Sequence, residues 1–111
     1  MLEQNSLKVL KNKKNLLAFS AGVDSTALFF LLQDQKIVFD IAIVNYNLRE
    51  KAKEEVFYAK ELAKKYKLKC FVLDSTPDIK NFEANARQIR YNFFETIINE
   101  NSYNNLLTAH H

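Results

Sequence analysis

Leu16-Leu17-Ala18-Phe19-Ser20-Ala21-Gly22-Val23-Asp24-Ser25-Thr26-Ala27-Leu28-Phe29-Phe30-Leu31-Leu32 changes character twice. The apolar run Leu16 to Phe19 predicts a strand, Ser25 to Gln33 a helix, and the hydroxyl-rich stretch between them a tight turn. Gly22, the one glycine in the chain, offers positive φ and close approach of a ligand. The first N–H groups of the helix lack internal partners, and its dipole adds partial positive charge there. With hydroxyls from Ser20, Ser25 and Thr26, the turn predicts a phosphate or pyrophosphate site. On spacing alone it is equally a plain strand–turn–helix junction with Asp24 or Ser25 as N-cap. An acidic Asp24 beside a phosphate calls either for Mg²⁺ between them or for a capping role.

Outward from this stretch, element types alternate. Leu2 to Leu10 suits a short helix. Ile41 to Asn45 predicts a buried strand, Glu50 to Tyr66 a helix, and Lys69 to Leu73 a third strand. Ala52, Val56, Ala59, Ala63 and Tyr66 give the second helix its apolar face. A third helix opens at Asn81 as N-cap, with Phe82, Ala86, Ile89, Phe93 and Ile97 facing the core. Leu106 to Ala109 reads as strand four. This β-α-β-α-β-α-β order predicts an α/β fold, an open parallel sheet with helices on both faces. Ligands then bind beyond the carboxyl ends of the strands where strand order reverses. If strands one and four are neighbours there, the Ser20–Ser25 turn and His110-His111 share one crevice. Strand four has no helix after it, so residues 1–111 read as the N-terminal part of a longer domain. The uncovered strand suggests a homodimer, which sedimentation would test.

Composition bounds the class. The 111 residues are 48% hydrophobic and 26% charged, enough for one folded domain. The longest apolar run, Ala27 to Leu32, is far below a membrane span. Cys70 is alone, which excludes an internal disulfide and a thiolate cluster and points to a reducing, cytoplasmic setting; in a strand it reads as buried core. A net charge of +3 is compatible with an RNA or nucleotide partner. Neither the glycine-rich dinucleotide fingerprint nor the lysine of the nucleoside-triphosphatase loop is present.

Three stretches carry a resemblance. Ser20-Ala21-Gly22-Val23-Asp24-Ser25 resembles the Ser-Gly-Gly-x-Asp-Ser loop of the N-type ATP pyrophosphatases, the PP-loop superfamily, whose fold is Rossmann-like. Asn81-Phe82-Glu83-Ala84-Asn85-Ala86-Arg87-Gln88-Ile89-Arg90-Tyr91 resembles the Asn-x-Glu-x-x-Ala-Arg-x-x-Arg-Tyr segment of the tRNA(Ile)-lysidine synthases. Leu107-Thr108-Ala109-His110-His111 resembles the start of that family's Ala-His-His-x-Asp-Asp motif. Two departures stand out. Ala21 replaces a glycine and must keep negative φ or carry strain. Asn45-Tyr46-Asn47 stands where the family has Asp-His-Gly, with Asn47 able to adopt the left-handed region.

The resemblance implies a ligase. ATP adenylates the wobble cytidine of isoleucine tRNA with a CAU anticodon, and free lysine then displaces AMP to form lysidine. Ser20, Ala21, Gly22, Val23, Asp24, Ser25 and His110 are expected to bind ATP. Asp24 is expected to hold Mg²⁺ or orient the loop, and Arg87 to neutralise phosphate charge during catalysis. Arg90 and Tyr91 are expected to be structural, and the adenine to rest near Ile43 to Tyr46. A sulfur-transferring member of the superfamily, and a nucleotide-binding module without catalysis, remain alternatives.

Overall fold

Alternation within each strand decides which helix covers which face. The computed structural model describes residues 8–47, 50–76 and 80–109. Its strands are β1 (Asn15–Ala18), β2 (Phe39–Asn45), β3 (Cys70–Asp74) and β4 (Asn105–Leu107), and its helices α1 (Val23–Asp34), α2 (Lys51–Tyr66) and α3 (Phe82–Asn101). All strand pairs are parallel, in the order β3-β2-β1-β4. In register, Leu107, Leu17, Ile41 and Cys70 form one row across the sheet. They face α1 and α2 and pack with Leu28, Phe29, Leu32, Ala59, Leu62 and Ala63. The adjacent positions Leu106, Leu16, Ala42 and Phe71 point the other way, onto Phe94 and Ile97 of α3 and Tyr103. Helices therefore cover both faces of an open parallel sheet. The split follows from right-handed crossovers: the chain steps outward from β1 to β3, then returns past β1 to β4, which reverses the helix side.

Phe29 is the centre of the larger core. It is fully buried and meets Phe19, Phe30, Phe39 and Tyr66 edge-on, with ring centroids 5.1 to 5.8 Å apart. At the amino ends of the strands a polar network ties distant segments together. Buried Asn15 donates to the carbonyls of Leu10 and Val38, and its Oδ1 accepts from Asn105 Nδ2 at 2.9 Å. Tyr103 donates to Asp40 Oδ2 at 2.6 Å, while Asp40 Oδ1 accepts from the Lys69 amide. Burial and the neighbouring carboxylate push the Tyr103 hydroxyl well up. No buried polar side-chain atom among the described residues lacks a partner. No helix among them is long and apolar enough to cross a membrane.

Several expectations change in detail. Asn81 precedes α3 but adopts φ 60° and makes no side-chain capping bond. Phe94 rather than Phe93 is fully buried on α3, and Leu62 joins the buried face of α2. Cys70 is half-buried on β3, at the sheet edge. Residues 8–10 are helical; the rest of the expected N-terminal helix lies outside the described residues.

Candidate functional site

The turn after β1 is braced by its own side chains. The Ser20 amide donates to Ser25 Oγ at 3.0 Å, and Ser25 is buried. The Gly22 amide makes a longer 3.4 Å contact with Ser20 Oγ. The first helical bond of α1 runs from the Thr26 amide to the Gly22 carbonyl, 2.9 Å. No side chain caps the helix, so neither Asp24 nor Ser25 is its N-cap. The amides of the first turn, at Val23, Asp24 and Ser25, precede that first bond and have no acceptor within the helix.

The strained residue of the turn is Ala21, at φ 63°, whereas Gly22 sits at φ −78°. The positive φ expected at the glycine thus falls one residue earlier, on a residue with a Cβ. A Cβ built on Gly22 would meet only Ser20 Oγ, at 3.4 Å, an ordinary contact. The fold does not demand glycine at position 22; a ligand lying against the backbone would. Replacing Ala21 by glycine relieves the left-handed penalty, so Ala21→Gly is expected to leave stability level or raise it by up to ~1 kcal/mol, read by equilibrium denaturation.

Above the turn lies a cleft of about 670 Å³. The Ser20–Ser25 turn forms one wall, and Ile43, Val44 and Tyr46 at the end of β2 form another. Arg90, Tyr91 and Phe94 of α3 close the far side, and Thr108 and Ala109 follow β4 into it. Lys51 and Glu55 of α2 also line it. β1 and β4 are neighbours, so the cleft stands where strand order reverses, as expected of an open α/β sheet.

Of the residues expected in the site, Ser20, Ala21, Gly22, Val23, Asp24 and Ser25 come together along this cleft. His110, like His111, lies outside the described residues. Arg87 is exposed and does not line the cleft; Arg90 and Tyr91, expected to be structural, do. The reason is helical phase. Arg90 lies four residues after buried Ala86 and four before buried Phe94, on the stripe that faces the sheet. Arg87 falls off that stripe and one turn nearer the helix start. Reading the core through Phe94 instead of Phe93 would have found Arg90 from the sequence.

The Asn45-Tyr46-Asn47 departure forms an ordered turn. Asn47 adopts φ 58°, as its left-handed tolerance allows. Its amide donates to Asn45 Oδ1 at 2.9 Å, and its side chain donates to the Ser75 carbonyl. Among the described residues no three of His, Cys, Asp and Glu converge to hold a metal. The cleft offers the carboxylates of Asp24 and Glu55, which fits an ion shared with phosphate oxygens rather than one caged by protein.

A profile of the PP-loop domain, an ATP-binding family, matches residues 2–111. The chain belongs to the PP-loop domain family. Among similar proteins, the tRNA(Ile)-lysidine synthase of Wolinella succinogenes is 56% identical over 102 residues, covering 92% of this chain and 31% of that protein. The tRNA(Ile)-lysidine synthase of Helicobacter pylori strain 26695 is 51% identical over 95% of this chain and 31% of its own length. That of Campylobacter jejuni strain RM1221 is 46% identical over 99% of this chain and 34% of its own. The PP-loop chain thus spans about a third of the length of these curated relatives. Membership in the family implies ATP binding.

Proposed function

We propose that this PP-loop chain is the ATP-binding part of a tRNA(Ile)-lysidine synthase. The observation that carries the reading is the cleft at the strand-order reversal. There the start of α1, whose first amides have no acceptor within the helix, and Arg90 of α3 line one cleft. Likeness to lysidine synthases over nearly all of the chain supports the same reading.

In this reading the amides and hydroxyls of Ser20–Ser25 hold the β- and γ-phosphates of ATP. Adenine rests against Ile43, Val44 and Tyr46. The 2-oxygen of the wobble cytidine in a CAU-anticodon isoleucine tRNA attacks the α-phosphorus. The bond from that phosphorus to the bridging oxygen breaks, and pyrophosphate leaves. The ε-amine of free lysine then attacks carbon 2, AMP departs with the oxygen, and the amine loses a proton. Asp24 would hold Mg²⁺ shared with the phosphates, and the ion would offset charge on the leaving pyrophosphate. Arg90 faces the cleft and takes the phosphate-neutralising role that the sequence placed on Arg87. Its fork of donors suits paired bonds to phosphate oxygens. His110 is proposed as a further ATP contact on its family motif alone. A homodimer belongs to the proposal through half-buried Leu106 and Leu107 on edge strand β4.

The test is turnover by the full-length protein with CAU-anticodon isoleucine tRNA. Radiolabelled lysine is expected to enter the tRNA, with AMP and pyrophosphate released in step. Sulfide-dependent, lysine-independent turnover would identify a thiolating enzyme instead. ATP binding with no AMP or pyrophosphate release would identify a non-catalytic module.

A further inference from the structure

Arg90 faces the cleft from a helix, and an arginine left to itself samples many rotamers. Ordering it costs side-chain entropy. Something must hold the guanidinium if it is to meet an anion without that cost at binding. Two tyrosines share the cleft with it. The Arg90 guanidinium carbon is 5.5 Å from the centre of the Tyr91 ring. The other is Tyr46, whose hydroxyl donates to the Ala86 carbonyl at 3.1 Å. In the helical pattern that carbonyl belongs to the turn ending at Arg90. The Tyr46 ring meets Phe82 edge-on at 5.9 Å, so the side chain grips α3 at two successive turns.

Tyr46 is itself held firmly. It lies between Asn45 and Asn47, whose side chains close the turn after β2, and the Ser75 amide donates to the Asn45 carbonyl at 2.8 Å. Tyr46, Arg90 and Tyr91 all line the same cleft. We infer that Tyr46 is a positioning residue, anchored on Ala86 so that its hydroxyl fixes Arg90 toward the phosphates in the cleft. Burial pushes the Tyr46 hydroxyl up, while the charge and hydrogen bonding of Arg90 pull it back. The inference rests on the reading of the cleft as an ATP site.

A double-mutant cycle in the full-length protein tests it, with ATP and adenosine as titrants. Tyr46→Phe keeps the ring and its Phe82 contact but removes the hydroxyl. It is expected to weaken ATP binding about 5-fold, the effect of one hydrogen bond, and to leave adenosine binding unchanged. Arg90→Ala is expected to weaken ATP binding by tenfold or more, as loss of a charged hydrogen-bond partner does. Adding Tyr46→Phe to Arg90→Ala should then cost nothing further. Full additivity, or an equal loss with adenosine, overturns the positioning role and leaves Tyr46 as a plain wall. Should Tyr46→Phe melt early, Tyr46→His, an aromatic ring with an N–H donor, replaces it in the cycle. Failure of the wild-type protein to bind ATP would overturn the cleft assignment and this inference together.

Discussion

Asp24→Ala is expected to lower pyrophosphate release by a hundredfold or more while the protein stays folded, the scale on which preorganised charge in an active site acts. Asp24 is exposed, in the first turn of α1, beside the cleft. Its carboxylate is the acidic group on the Ser20–Ser25 turn itself. Removing it touches no core contact. The structural cost includes the helix-dipole interaction of a first-turn acid, about 0.3–1 kcal/mol. Activity and stability should therefore separate. Radiolabelled ATP turnover reads the first, and a thermal melt of the same sample reads the second. Unchanged pyrophosphate release would remove Asp24 from the reaction. Asp24→Asn adds a further reading: if the side chain merely orients the turn, the amide should keep much of the activity, whereas holding Mg²⁺ requires the charge.

Phe29→Ala has the largest expected effect on stability, about 3–5 kcal/mol. The side chain is fully buried against four aromatic rings, Phe19 just after β1, Phe30 of α1, Phe39 of β2 and Tyr66 of α2. Close-packed interiors relax only partly around such a void. Since whole domains are stable by about 5–15 kcal/mol, the variant should sit near its unfolding threshold. Phe57→Ala is the matched control, because Phe57 is 65% exposed. It is expected to change stability by less than about 0.5 kcal/mol. Chemical denaturation of both variants gives the comparison; similar midpoints would show that the Phe29 cluster does not hold the two helices on the sheet.

The parallel sheet was legible because Leu16-Leu17 and Ile41 to Val44 lack polar alternation, the mark of strands covered on both faces. That β4 lies beside β1 was a condition of the reading, and the parallel pairing of the two strands meets it. Helical phase was harder. Phe93 and Phe94 are adjacent, so periodicity alone did not say which one enters the core, and choosing Phe93 hid Arg90. Positive φ was harder still. Asn12, Asn47 and Asn81 adopt it, as their short polar side chains allow, but so do Ala21, Lys36, Lys67 and Ser102. A chain with one glycine must turn its corners with other residues. Tertiary context fixes which, and local preference does not report it. The family resemblance placed Tyr46 where adenine is expected. Its grip on α3 was not, because a hydroxyl reaching the carbonyl of Ala86 depends on packing across two elements.

The Asn15–Asn105 pairing has a consequence for how the chain is born. β1 is made before its second neighbour, β4, which follows ninety residues later. Until then the strand that leads into the Ser20–Ser25 turn presents a bare edge to the nascent-chain environment. Slow, long-range closure of this kind exposes a growing chain to misassociation. The exposed interval is the one between the making of β1 and the arrival of β4.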